Sequence, residues 1–280
     1  GGVFPRLERI GARMETIPVD GDGMDVDALE ATLDRLAAEG RRAKYVYTIP
    51  TVHNPTGAIM PLARRERLVK LAARHATPIF EDECYADLVW AGARPPALHA
   101  VDDEGLVVHI GSFSKCIAPA LRVGYVAAPA DMIARLVALK GDAGSGALEQ
   151  MALAGWAPGR FDDHVAKLNG VLEAKLDNLI DALNEHFGAS VEFTRPPGGI
   201  FLWLRLPEGA EAAKLAEVAA AEGVAVNPGP EWSKGGDANR HIRICYANPS
   251  EETMREGIGR LAEICWRTFG APEISGNVRR

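Results

Sequence analysis

The sequence has no excess of basic charge, no paired cysteines and no apolar run long enough to cross a bilayer, and each absence excludes a class of function. Lys and Arg number 31 against 38 Asp and Glu, for a formal net charge of −7, and the two signs are interspersed. Nucleic-acid binding rests on clustered cations facing phosphates, so no nucleic-acid partner is expected for this segment. The four cysteines, Cys84, Cys116, Cys245 and Cys265, form no C-x-x-C pair. Such scatter speaks against a zinc site or a disulfide framework and for a reducing, cytoplasmic setting. The 7 histidines are dispersed without an H-E-x-x-H, so no metal is expected. A membrane-spanning helix needs about 20 consecutive apolar residues; none is present, and no signal peptide opens the chain. An initiating Met is also missing. The start Gly1-Gly2-Val3 reads as the middle of a domain, so an N-terminally truncated chain is expected.

What is present is an ordinary globular composition, 47% hydrophobic and 25% charged over 280 residues, enough for a substantial core without disulfide staples. Asp25 is placed to cap a helix whose apolar positions are Leu29, Leu33 and Leu36 and which Gly40 stops. Residues 43–49 (A-K-Y-V-Y-T-I) are rich in strand formers and break into the turn 53–57. Pro61 suits the start of a helix with Leu62, Leu68, Leu71 and Ala72 on its core face. Short strands are expected at 78–80, 106–110 and 123–127. Strands alternating with helices imply an α/β fold with a mainly parallel sheet and flanking helices. Glycines and Pro158 between 141 and 159 read as a linker, which divides the chain into a large domain (1–150) and a smaller C-terminal α/β domain (160–280). In the second part a long helix (163–187) precedes strands at 190–194, 200–206, 224–226 and 241–246, a helix at 212–222, and a last helix capped by Ser250.

Three strands in the first half end in polar residues. Asn54 follows one, Asp82 ends the next, and Ser112 to Lys115 follow the third. Ligands of open α/β sheets bind beyond the carboxyl ends of the strands, so Asn54, Asp82 and Lys115 are placed to share one crevice. An amine, a carboxylate and amide and hydroxyl donors together suit an anionic heteroaromatic cofactor.

Seven short motifs then occur in a familiar order. They are N-P-T-G (Asn54 to Gly57), D-x-x-Y (Asp82 to Tyr85), G-S-F-S-K (Gly111 to Lys115), L-R-V-G-Y (Leu121 to Tyr125), P-P-G-G-I-F (Pro196 to Phe201), G-V-A-V-N-P-G (Gly223 to Gly229) and H-I-R-I (His241 to Ile244). Each is weak alone, but in this order over nearly the whole chain they resemble the class I/II aminotransferases of fold type I. The nearest branch acts on aminoadipate, aromatic or branched-chain amino acids.

The resemblance implies pyridoxal 5'-phosphate as cofactor, amino acid and 2-oxo acid substrates, and a homodimer with shared active sites. It makes Lys115 the residue that holds the cofactor as a Schiff base and moves the substrate's α-proton. Asp82 is to face the pyridinium nitrogen, with Asn54 and Tyr85 on the phenolic oxygen. Ser112, Ser114 and Arg122 are to hold the phosphate, and Arg243, with Asn54, the substrate carboxylate. Blander readings stand beside these. Asn before Pro is a common turn residue, Tyr85 fits a core, Arg122 a surface ion pair and Arg243 a solvent-facing strand. Glu81 and Glu83 could cap a strand end as well as Asp82 does, and Lys115 could be a surface lysine.

The departures are Cys116, where many relatives have Thr, and Ala120, where many have Gly; neither removes a reactive group. The family's Gly-rich phosphate loop, with its ring-stacking aromatic, is found nowhere in the chain. Two other readings compete. Ser112-x-x-Lys115 matches the S-x-x-K of serine β-lactamases, but the companion S-D-N and K-T-G motifs are absent. Transcription regulators that fuse a winged-helix DNA-binding domain to an aminotransferase-like effector domain carry similar motifs, and this segment would be their effector half.

Overall fold

Asp25 begins the first long helix as its sequence suggests: the carboxylate accepts from the amides of Asp27 (2.9 Å) and Ala28 (3.0 Å), two donors that a helix start leaves unpaired. The computed structural model describes residues 4–142, 144–233 and 236–270. A short helix α1 (Phe4–Arg9) and a small hairpin, β1 (Val19–Asp20) with β2 (Gly23–Met24), precede the capped helix α2 (Val26–Ala38), which buries Val26, Leu29, Leu33 and Leu36. Then come β3 (Val46–Thr48), α3 (Leu62–Arg74), β4 (Ile79–Asp82), β5 (Val107–Ser112) and β6 (Gly124–Ala127). These four strands form one sheet in the order β3-β4-β5-β6. β3, β4 and β5 run parallel, whereas β6 returns antiparallel to β5 and sets Gly124 opposite Ser112. The α/β class and the mainly parallel sheet are therefore as expected.

Two helices follow, α4 (Ala130–Leu139) and α5 (Ala147–Trp156), and neither buries a residue fully. The second corrects the sequence reading. The glycines of 141–159 suggest a linker, yet A-L-E-Q-M-A-L-A-G-W is mostly good helix formers and stays helical through Gly155. Helix α6 (Phe161–His186) then runs 26 residues, roughly 39 Å at 1.5 Å per residue. The second sheet is antiparallel, in the order β7 (Glu192–Phe193), β8 (Phe201–Arg205), β10 (His241–Cys245) and β9 (Asn227–Pro228). The extended stretch expected at 224–226 pairs slightly later, at β9. Helix α7 (Ala212–Ala221) and helix α8 (Glu251–Phe269), with Ser250 accepting from the Thr253 amide at 3.1 Å, are the last helices among the described residues.

Two apolar clusters hold these layers. The smaller joins α2 and α3 to the start of the first sheet through Leu29, Leu33, Leu68, Ile79 and Val107. The larger packs α6, α7 and α8 on one face of β8 and β10, where Leu202, Leu204, Ile242 and Ile244 point. Ile49, Val52, Tyr85, Leu88 and Cys116 from the first half belong to that same cluster. A fully buried Leu stabilises by about 1.5–3 kcal/mol, so a core drawn from both halves fixes one against the other.

Polar bonds reinforce this junction. Asn169 on α6 donates to the carbonyls of Asp87 (3.1 Å) and Val89 (3.2 Å), and His164 bonds the Cys116 carbonyl at 2.9 Å. The turn Pro196-Pro197-Gly198-Gly199 docks on the same segment, with the amide of Gly199 donating to Leu88 O at 2.7 Å and that of Trp90 to Pro197 O at 3.1 Å. A Cβ on Gly198 would lie 2.1 Å from the Leu88 carbonyl oxygen, whereas a Cβ on the helical Gly170 would meet nothing within 4 Å. Gly198→Ala should therefore cost about 2–4 kcal/mol in urea unfolding, and Gly170→Ala should stabilise by about 0.5–1 kcal/mol. Equal midpoints for the two variants would contradict this account of the junction.

Candidate active site

Parallel pairing of β3, β4 and β5 brings the three polar strand exits to one end of the sheet. Asp82, the last residue of β4, lies beside Ile110 of β5, two residues before Ser112. Its carboxylate has three donors. The Tyr47 hydroxyl reaches Oδ2 at 2.6 Å, and the Cys84 amide and thiol reach Oδ1 at 3.2 and 2.9 Å. These bonds fix the plane of the carboxylate. Burial pushes the Tyr47 hydroxyl and the Cys84 thiol well above their usual pKa values, and the Asp82 charge adds to both. The Lys115 ammonium pulls the Cys84 thiol in the opposite direction, which puts the lysine in the same electrostatic neighbourhood as Asp82. Lys115 itself is exposed.

Arg243 comes from β10 in the other half. It is only 8% exposed, and no described carboxylate pairs with it. Instead its guanidinium donates to the Asn54 side-chain oxygen at 3.0 Å and the Asn227 side-chain oxygen at 2.9 Å. The rings of Phe201 and Trp232 pack against it, 3.7 and 3.4 Å from the guanidinium carbon to the ring centroids. Cation–π contact with two rings restrains the plane of the fork. Burial pushes the Arg243 pKa down, and its Nε is buried without a hydrogen-bond partner, as is Trp232 Nε1. A desolvated cation held by amide oxygens rather than carboxylates is a receptor for an anion.

Tyr85 stands beside this group, its ring edge-on to Phe201 at 5.8 Å, and burial first of all raises its hydroxyl pKa. Ser112, Ser114 and Arg122 gather at the exit of β5 and the entry to β6. Ser112 Oγ accepts from the Ser114 amide at 3.2 Å, and Arg122, at φ 52°, turns its exposed guanidinium to the Pro119 carbonyl at 3.3 Å. The motifs also touch one another. Gly57, at φ +77°, comes so near Pro196 that a Cβ would lie 2.6 Å from the proline Cβ, so N-P-T-G and P-P-G-G close on each other.

Sequence reasoning passed over Tyr47, Cys84, Asn227, Phe201 and Trp232 as individual residues. Asn227 and Phe201 lie inside motifs that were read as whole units, and Cys84 is the first x of D-x-x-Y. Tyr47 and Trp232 carry no local signal, because the partner of the first is 35 residues away and that of the second lies on a neighbouring strand.

A lysine beyond one parallel strand, a bonded carboxylate ending its neighbour and a buried arginine brought in from a second sheet define a pyridoxal-phosphate-dependent transferase scaffold. The donor set fits that group: cationic and hydroxyl groups for a phosphate, an acid for a ring nitrogen and an amine for a carbonyl carbon. The chain belongs to the family of aminotransferases of class I and II, whose profile matches residues 7–261. It is 38% identical over 250 residues to aromatic-amino-acid aminotransferase 1 of Thermococcus litoralis, covering 88% of this chain and 60% of that protein. The crystal structure of LysN, an α-aminoadipate aminotransferase from Thermus thermophilus complexed with N-(5'-phosphopyridoxyl)-L-leucine, superposes with a TM-score of 0.83 at 33% identity, covering 91% of this chain and 66% of that one. An uncharacterized HTH-type transcriptional regulator of Bacillus subtilis is 31% identical, over 93% of this chain and 53% of that protein. The chain thus spans about three fifths of the length of the curated relatives it matches.

The loop that carries Asn54 also holds a titratable probe. Burial pushes the His53 pKa down to about 4, and its Nδ1 shares a 2.9 Å hydrogen bond with Thr56 Oγ1. In the unfolded chain a histidine protonates near 6.5, so below that pH the unfolded state binds the extra proton. Stability is then lost as pH falls from about 6.5 and levels off below about 4. His53→Gln should shrink the stability difference between pH 7 and pH 4.5 by about 2 kcal/mol, measured by urea unfolding at both pH values. An unchanged difference would show that His53 is not held neutral.

Proposed function

We propose that the protein is a pyridoxal-phosphate-dependent aminotransferase that moves an amino group between an amino acid and a 2-oxo acid. The observation that carries this reading is Arg243, a buried guanidinium that forms no ion pair with a carboxylate among the described residues and is hydrogen-bonded to Asn54 from the opposite half. A substrate α-carboxylate supplies the missing anion. Its two oxygens match the guanidinium edge, and that grip orients Cα.

The remaining roles are those that the family resemblance implies, and the positions of the residues support them. Lys115 carries the cofactor and, through Nζ, takes the proton from the substrate Cα and returns it. Asp82, held by Tyr47 and Cys84, keeps a proton on the ring nitrogen. Asn54 and Tyr85 donate to the ring oxygen, and Ser112, Ser114 and Arg122 hold the phosphate. Bound here, pyridoxal phosphate supplies an electron-poor ring that makes the α-proton of an amino acid acidic. The two relatives named for aromatic amino acids and for 2-aminoadipate favour large amino acids as substrates.

We place residues 1–150 in a large cofactor-binding domain and 160–280 in a smaller one, each with its own sheet. A homodimer is part of the same reading. It is supported by the apolar residues left uncovered on α4 and α5, with Leu139 83% and Leu148 76% exposed, since such patches mark association sites. The four free cysteines favour the cytoplasm. The likeness to HTH-type regulators supports a second reading, in which the same site senses an amine or amino acid for an attached DNA-binding part.

Borohydride reduction of the full-length protein with its cofactor should label Lys115 and no other lysine. Asp82→Asn should cut turnover by on the order of 10²-fold while cofactor is retained, and near-normal turnover would remove Asp82 from the mechanism. Arg243→Lys should raise KM for amino and 2-oxo acids alike by about 10-fold or more, because one ammonium cannot make the two-pronged grip. Equal loss with amines that lack a carboxylate would make Arg243 structural. Cofactor on Lys115 without transfer to any 2-oxo acid would favour the sensor.

A further inference from the structure

Helix α3 places a second arginine, Arg65, in the interior, with no exposed surface. All five of its N–H groups are used. Nε donates to the Met60 carbonyl at 2.8 Å. One terminal nitrogen donates to the Pro50 carbonyl at 2.9 Å and to Thr51 Oγ1 at 2.8 Å, and the other to the Pro96 carbonyl at 3.2 Å and Glu83 Oε1 at 3.4 Å. Pro50 and Met60 are the two ends of the loop that carries Asn54, and the Met60 amide also donates to the Pro50 carbonyl at 2.8 Å. One guanidinium therefore closes the base of that loop. The same guanidinium reaches the strand exit that carries Asp82 and Tyr85. Glu83 sits between those two residues, accepts from Thr51 Oγ1 at 2.7 Å, and has its backbone amide tied to Ile110 of β5 at 2.9 Å. Glu81, also buried, lies 4.0 Å away and takes the His109 ring at 2.9 Å.

We infer that Arg65 is a positioning residue for the reaction. It sets Asn54 against Asp82 and Tyr85, and through Asn54 it sets the Arg243 fork, without touching cofactor or substrate. The inference rests on the function proposed above. Its physical basis is that a planar guanidinium with five directed donors has one arrangement that satisfies all of them, and leaving any of them bare in the interior is costly. Apart from the Thr51–Glu83 bond, the loop 51–59 is anchored by the second half: Val52 packs in the larger core, Gly57 meets Pro196 and Asn54 bonds Arg243. The His53 amide bonds Ala58 O, and the Gly57 amide bonds His53 O, but both bonds lie inside the loop and do not fix it to the sheet. Without Arg65 it can keep its shape and still shift as a unit relative to Asp82.

The test uses the full-length protein and two readouts. Arg65→Lys keeps the charge but offers at most three donors from a single nitrogen. Thr51→Val, nearly the same shape, removes one partner of Arg65 and guards against a lysine variant that does not fold. The first readout is amide hydrogen exchange without cofactor. Amides 53–60 should exchange about 10-fold faster or more in both variants, while those of β8 and β10 stay unchanged. The second is a double-mutant cycle on kcat/KM with Asn54→Ala. Arg65→Lys should lower kcat/KM by about 10-fold with Asn54 present and by about 2-fold or less without it, the non-additivity expected of residues that act through one another. Unchanged loop exchange, or exchange that rises by the same factor in every segment, would overturn the inference by making Arg65 a general stabiliser, and strictly additive effects would do the same. A silent Asn54→Ala with a loosened loop would instead overturn the role of Asn54 in the proposed reaction, and Arg65's part in that reaction with it.

Discussion

A positive charge taken out of water has to be compensated completely, and the first half of the molecule is arranged around that requirement at Arg65. Removing one partner from such a buried pair typically costs about 3–5 kcal/mol, so the surrounding groups have little freedom. Arg65 shares the inner face of α3 with Leu68, Val69 and Ala72, which fixes the rotation of the helix. Its acceptors are drawn from three separate chain segments, 50–60, 83 and 96, which fixes how they lie against the sheet. Two carboxylates share the charge unequally. Burial acts to raise the Glu81 pKa, but its bonds from His109 and from the amides of Leu98 and His99 hold it below the usual carboxylate value. Burial pushes Glu83 up to about 7, against the pull of its bond from Thr51. The strand exit that ends in Asp82 is thus rigid because the residues on either side of it are locked into this network.

Much of the fold could be read from sequence because it depends on local chemistry. The Asp25 and Ser250 caps, the apolar face of α2 and the strand formers at 43–49 each act through neighbours within a few residues. The antiparallel return of β6 was less legible, since a four-residue strand shows no direction in its own pattern. Helix α5 is hidden by the glycines around it and by Gly155 within it, which weigh heavily in any local reading. The proposed site shows the same division. Its motifs locate Asn54, Asp82, Lys115 and Arg243, but the hydrogen bond between Asn54 and Arg243 spans 189 residues and no periodicity announces it. Arg65 is the extreme case. In L-A-R-R-E-R-L it is one of three arginines, and only its position on the helix face, level with Leu68, Val69 and Ala72, separates it from exposed Arg67.

The second half contributes one guanidinium to the site and much of the apolar surface that keeps it there. On β10, Ile242 and Ile244 point into the larger core while Arg243 points to the opposite face. The strand therefore cannot slip by one residue without burying a charge among the helices and exposing two isoleucines. Phe201, next to Arg243 on that face, is held in turn by Leu202 and Leu204 on the other. The aromatic walls of the anion receptor are thus a consequence of strand alternation as much as of side-chain choice. Because Ile49, Val52, Tyr85 and Leu88 enter the same core, the distance between Arg243 and the sheet exits is set by packing and does not depend on the Asn54 hydrogen bond alone.

This rigidity bears on why catalysts and regulators can share the scaffold. In the proposed reading, recognising an amino acid through Arg243 and an amine-reactive centre at Lys115 is the same first step for either. Turnover needs more. The base has to remain within reach of Cα while the carboxylate stays gripped, and a misplacement of about 1 Å can cost on the order of 10²-fold in rate. A sensor tolerates that error because it needs occupancy and not repeated proton transfer. Groups that only bind ligand are therefore shared by both uses, whereas groups that only hold geometry distinguish them. Among the described residues, the groups that only hold geometry are three donors on Asp82, two amide acceptors and two aromatic rings on Arg243, and five satisfied N–H groups on Arg65.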